Sequence, residues 1–231
     1  MGFATAAFWG ALGSIVLANI LLSGDNAVVI ALAARSLPEH QQKRAVVWGS
    51  AAAIMMRVIL TLAAAEMMRW PYLKIIGGLL LFYIGVSLLM ESEDRHGAAR
   101  GAPPKVGLLQ AIRTILVADL VMSLDNVVAV AAAAKGDYVL LTLGLAISIP
   151  LIVFGSTLLL KVMDRFPIIV TLGGALLGWL AGEMLVSDSA LLHWLDRMPD
   201  AAIDVAGIVG AVLVVVVGLR LRRRTRQAEA A

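Results

Sequence analysis

The sequence predicts an all-α membrane protein with seven transmembrane helices, arranged as a 3+3 inverted repeat plus one C-terminal helix. Three observations carry this prediction: a composition too apolar for water, bilayer-length apolar runs along most of the chain, and a Ser-x-Asp-Asn motif that occurs twice. With 61% hydrophobic and 15% charged residues and a mean hydropathy of +0.91, a soluble domain of this length could not hide its apolar surface. In hydrocarbon every backbone N–H and C=O must be satisfied internally, which leaves helices or closed barrels. The runs are too long and too uniformly apolar to alternate like barrel strands.

The apolar segments fall at about Phe8–Ala34, Ala45–Met68, Tyr72–Met90, Val106–Ala134, Tyr138–Met163, Pro167–Val186 and Ile203–Leu221, separated by charge clusters and Gly/Pro punctuation. Met1 to Gly10 carries no lysine or arginine, so it lacks the basic start of a cleavable signal and the first segment is read as a retained span. The connection from Ser92 to Lys105 is charged, then Gly/Ala/Pro-rich, and reads as a cytoplasmic linker. Residues 1–91 then form the first three-helix repeat and 106–186 the second. Residues 187–231 supply an outer loop, the seventh helix and a basic cytoplasmic tail.

Orientation follows from lysine and arginine. With the C-terminus inside, fourteen of the 19 basic residues lie at inner segments, and only Arg69, Lys74, Lys135 and Arg197 lie outside. Seven spans place the N-terminus outside. The basic excess, Arg220 to Arg226, follows a span directly and is read as an anchor touching anionic lipid, with no nucleic-acid partner expected.

Aligning Leu17–Ala34 on Val117–Ala134 without a gap superposes Ser23-Gly24-Asp25-Asn26 on Ser123-Leu124-Asp125-Asn126. Gly77-Gly78 in the third segment likewise resembles Gly173-Gly174 in the sixth. Three spans per half make the halves enter the membrane from opposite sides, an arrangement typical of secondary transporters with a midplane site.

Asp25, Asp119 and Asp125 lie deep in apolar segments, where a carboxylate costs several kcal/mol unless protonated, paired or hydrated. Asn19, Ser23 and Asn26 share one helix face, as do Asp119, Ser123 and Asn126. Asp25 and Asp125 sit about 100° from these stripes and join them only where the helix unwinds, which Gly24 favours more than Leu124. Carboxylates, amides, hydroxyls and freed carbonyls make an oxygen cage for a hard cation. Cysteine is absent, and His40, His96 and His193 fall in connections, so zinc, copper and nickel are disfavoured against Mn²⁺, Mg²⁺, Ca²⁺ or Na⁺. Glu183 in the sixth segment would add a fourth acid if it turns inward. Arg57 either pairs with one of these carboxylates or snorkels to an interface. Asp188, among four acids near the sixth and seventh segments, is read as part of a solvated loop.

Together with Leu177-Gly178-Trp179-Leu180-Ala181-Gly182-Glu183-Met184-Leu185, the two Asp-Asn motifs resemble the TerC family of integral membrane proteins, in particular its short bacterial YjbE-like branch. The resemblance implies a seven-span protein of the bacterial inner membrane, associated with manganese export and metal homeostasis. Under it, Asp25, Asn26, Asp119, Asp125, Asn126 and Glu183 would bind the metal; the polar stripes and the buried cation themselves suggest that Asn19, Ser23, Ser123 and Arg57 line the pathway. The expectation is a secondary transporter exporting Mn²⁺, or Ca²⁺, by proton antiport, with no resident cofactor. The rival is a non-transporting factor that assists assembly or metallation of other proteins. No Walker-type loop suggests ATP coupling, and without a nucleophile paired to a base an enzyme is not expected. A homo-oligomer is compatible with the small-residue faces.

Overall fold

A computed structural model describes residues 9–10, 12–14, 16–17, 24–67, 70–91, 107–134, 138–191 and 201–229; within these, the side chains of 61–67, 91, 124–134, 138–141, 145 and 224–229 are not described. Among the described residues every regular element is helical: α1 (Gly24–Arg35), α2 (Glu39–Met67), α3 (Leu73–Glu91), α4 (Leu108–Ala134), α5 (Tyr138–Arg165), α6 (Ile168–Val186), a 3₁₀ turn (Ser189–Leu191) and α7 (Ala201–Glu229). The linker read at 92–105 lies outside the described residues.

Polarity runs opposite to that of a soluble bundle. Tyr83 on α3, Phe154 on α5 and Val212 on α7 are exposed, whereas Arg57, Asp119 and Ser123 are buried. An apolar exterior around a partly polar interior needs a non-aqueous solvent. Four helices among the described residues are long and apolar enough to cross a membrane, over Leu73–Met90, Thr142–Arg165, Ile168–Val186 and Ala201–Arg223. Long helices outside that set, α2 and α4, carry Arg57 and Asp119 in their interiors.

The helices sort into two groups. α3, α6 and α7 pack together through glycines. A Cβ on Gly178 would come within 2.5 Å of the Gly210 carbonyl oxygen, and one on Gly182 would overlap that of Ala206. Glycine is needed there because backbone meets backbone, the close approach that holds helices together in lipid. The other group, α1, α2, α4 and α5, is also mutually packed. Among the described residues every buried polar side chain except Asp188 lies on it: Asn26, Arg35, Ser50, Arg57, Asp119, Ser123, Ser148 and Ser156. The groups meet where a Cβ on Gly77 of α3 would press on Val121 of α4 and one on Gly173 of α6 on Val28 and Leu32 of α1.

Asp188 departs from the solvated-loop reading. It is 1% exposed, and its carboxylate accepts the backbone N–H groups of Tyr72 (2.9 Å), Lys74 (2.9 Å), Ile75 (3.2 Å) and Ala190 (2.8 Å). The first turn of α3 has donors with no intrahelical partner, and this side chain from beyond α6 satisfies them. Tyr72, at φ 69°, makes the left-handed turn that brings the donors round. Burial alone would push the Asp188 carboxyl up, but those N–H groups together hold it below its ordinary value.

Candidate functional site

Asp25 opens α1, its Oδ1 accepting the Asn26 N–H at 2.8 Å, so a carboxylate sits on the positive end of the helix dipole. The next side chain turns into the bundle. Asn26 is 2% exposed, and among the described residues neither its Oδ1 nor its Nδ2 has a hydrogen-bond partner. A buried amide with two unmet valences costs about 1–3 kcal/mol per group in a packed interior.

Across from α1, the guanidinium of Arg57 on α2 bridges two positions of α4. Its Nε donates to Ser123 Oγ at 3.0 Å and its Nη2 to Asp119 Oδ1 at 2.5 Å. Ser123 Oγ, one turn along from Asp119, donates to Asp119 Oδ2 at 3.3 Å. Both carboxylate oxygens of Asp119 are thereby engaged. Arg57 is 1% exposed, so of the two readings open in the sequence the structure selects pairing over snorkelling. Helix α1, which carries Asp25 and Asn26, packs against both α2 and α4.

Helix α5 closes the fourth side. A Cβ on Gly155 would lie 4.0 Å from that of Ala27, so α5 meets α1 beside Asn26. The neighbouring Ser156 is fully buried, and its Oγ has no partner among the described residues. Nothing in the local sequence marked Ser156 except its place after a glycine in an apolar helix. Pro150 lies inside the same helix, and two residues before it Ser148 Oγ donates back to the Gly144 carbonyl at 3.0 Å.

The expected site residues therefore divide. Arg57, Asp119 and Ser123 form one bonded group between α2 and α4, and Asp25 and Asn26 lie on α1, which packs against both helices. Asn19 and Ser23 lie outside the described residues, as do the side chains of Asp125 and Asn126. The backbone at the second motif is described, and α4 runs through it as continuous helix, so no unwinding accompanies Leu124. Glu183 is half-buried, three residues before the end of α6. Among the described residues no three acidic or histidine side chains converge as a metal-binding group. The described polar set is two carboxylates, one amide, one bridging hydroxyl and one guanidinium. Chemically it can exchange a cation or a proton against a fixed positive charge.

The family model for the integral membrane protein TerC family matches residues 4–227. The chain belongs to the TerC family. Among TerC relatives, it is 42% identical over 173 residues to the uncharacterized membrane protein YjbE of Bacillus subtilis, covering 75% of this chain and 78% of that one. It is 26% identical over 230 residues to the uncharacterized membrane protein YceF of the same organism, covering 96% and 87% of the two chains. The UPF0053 inner membrane protein YgdQ of Escherichia coli K12 is 25% identical over 201 residues, covering 80% and 83%. No solved structure matches the chain.

Proposed function

We propose that this TerC protein is a secondary transporter that exports a hard divalent cation, Mn²⁺ before Ca²⁺, by proton antiport at a midplane carboxylate site. The observation that carries the reading is the burial of Asn26, Arg57, Asp119 and Ser123 on one packed group of helices in an otherwise apolar membrane protein. Buried charge in a bilayer is expensive and is retained where ions or protons pass. Oxygen donors without thiolate or imidazole suit Mn²⁺ and Ca²⁺. The order between the two rests on the family's association with manganese. Protons reaching Asp25 and Asp125 would neutralise the ligands and release the metal, while deprotonation would restore the site.

Seven spans in a 3+3 inverted repeat fit the packing. Exchanging α1 with α4, α2 with α5 and α3 with α6 converts the α1–α5 contact into α2–α4, α1–α2 into α4–α5, and α3–α4 into α1–α6, and all six pairs are packed. The paired glycines obey the same exchange: Gly77 faces α4 where Gly173 faces α1, and Gly78 faces α6 where Gly174 faces α3. On this reading the polar group of α1, α2, α4 and α5 moves against the glycine-locked α3, α6 and α7. The inner membrane, named for the Escherichia coli relative, is the proposed location, with the N-terminus outside and the C-terminus cytoplasmic.

Purified protein in liposomes, with an internal metal-sensitive dye, tests the function directly. Mn²⁺ flux that depends on a pH gradient and is competed by Ca²⁺ better than by Zn²⁺ is the expected result. Absence of flux, or flux unchanged in Asp25→Asn with Asp125→Asn, would refute it and leave the non-transporting membrane factor as the better reading.

A further inference from the structure

The polar site is paired on one side and unmet on the other. On the α2–α4 side, Arg57 and Ser123 occupy both oxygens of Asp119. On the α1–α5 side, Asn26 Oδ1 and Nδ2 and Ser156 Oγ are buried without partners among the described residues.

We propose that Arg57 is a tethered cation that stands in for the substrate at Asp119 and gives way to it in each transport cycle. The inference rests on the transport reading above and assigns Arg57 a role within it. A cation arriving from the α1 side meets Asp25 and the free Asn26 oxygen first. It gains Asp119 in competition with the guanidinium, which already donates to Oδ1 of that carboxylate. Two positive groups on one carboxylate repel each other in a low-dielectric interior, so the arm retracts as the ion takes Asp119. After release of the ion the arm returns, and Asp119 is not left as an uncompensated buried anion while the empty carrier reorients.

Two consequences separate this from a purely structural ion pair. Removing the arm removes a competitor, so cation affinity rises. It also removes the counter-charge of the empty state, so the return step slows while the loaded carrier still moves. Exchange of metal for metal, which never passes through the empty carrier, survives; net flux does not.

The test uses the full chain, purified for Mn²⁺ binding by equilibrium dialysis and reconstituted for flux. Radiolabelled Mn²⁺ exchange, with Mn²⁺ on both sides, is compared with net flux, with Mn²⁺ on one side. Arg57→Gln is expected to bind Mn²⁺ about tenfold more tightly and to lose net flux by about tenfold or more, while exchange falls far less than net flux. Unchanged or weaker binding in a monodisperse Arg57→Gln protein, or parallel loss of exchange and net flux, overturns the proposal. Should Arg57→Gln not fold, Arg57→Lys is read instead: it keeps the charge but loses the fork that holds Asp119 and Ser123 together. It should then bind Mn²⁺ more tightly than wild type, and unchanged affinity overturns the tether. A wild-type chain silent in both flux modes refutes the transport reading itself, whereas wild-type flux with an unaltered exchange-to-net ratio in Arg57→Gln refutes only the tether.

Discussion

Asp188 accepts the backbone N–H of Lys74 at 2.9 Å from 114 residues further along the chain, tying the start of α3 to the end of α6. Three more backbone N–H groups converge on the same carboxylate. This contact fixes two of the glycine-packed helices against each other at one end of the bundle.

Asp188→Ala should lower stability by about 2–4 kcal/mol, because several N–H groups lose a charged acceptor at once. Asp188→Asn should cost less, since one oxygen remains. Thermal unfolding in detergent measures both. The pH dependence has a definite sign: the folded carboxyl is held below its ordinary value of 3.8. Its contribution is therefore complete above that value and is lost as pH falls through the lower, folded-state value. Acidification should destabilise the wild type through this group, and Asp188→Asn should lack that part of the loss.

The Arg57–Asp119 pair predicts a double-mutant signature. Asp119→Leu leaves a guanidinium 1% exposed without its carboxylate, and should cost about 3–5 kcal/mol. Arg57→Met together with Asp119→Leu should recover most of that stability, since an apolar pair of similar volume carries no desolvation cost. Recovery of stability without recovery of Mn²⁺ flux would place the charges in function; a double variant as unstable as the single one would contradict the pairing energetics.

Much of the helical frame was legible from apolar runs and their punctuation. α3, α5 and α6 begin and end within two residues of the expected segments because Pro71, Pro167 and charged ends mark them. α2 starts at Glu39, earlier than Ala45, and α7 continues to Glu229, past Leu221. Hydropathy finds where a helix is apolar, not where it is helical, and Glu, Gln, Lys and Arg extend a helix readily. Asp25, Asn26, Asp119 and Ser123 were legible as charge and amide in the wrong solvent. The fate of Arg57 was not, because pairing depends on how α2 lies against α4. Asp188 was misread for the same reason: its α3 partners lie more than a hundred positions away, so no local pattern announces a cap.

Glycine contacts give a graded prediction. Gly178→Ala puts a methyl within 2.5 Å of the Gly210 carbonyl oxygen, which cannot yield without separating α6 from α7. A loss of about 1–3 kcal/mol is expected. Gly155→Ala meets only the Ala27 methyl at 4.0 Å, so relief of glycine's helix cost should leave stability unchanged or raised by about 0.5–1 kcal/mol. Unfolding of both variants in the same detergent decides, and an equal loss in the two would show that backbone contact does not set the α6–α7 spacing.

Asn26 should show stability and function pulling in opposite directions. Its two amide atoms are buried without partners among the described residues, a cost that is offset where a ligand, an ion or a water meets those atoms. Asn26→Leu fills a similar volume and removes both unmet groups, so the ion-free protein should gain about 1–3 kcal/mol. The same change deletes the oxygen offered to the cation. Mn²⁺ should then raise the unfolding temperature of the wild type but not of Asn26→Leu, and flux should fall with it. A variant that is less stable without the ion, yet still stabilised by Mn²⁺ as much as wild type, would show that the amide serves packing and not the substrate.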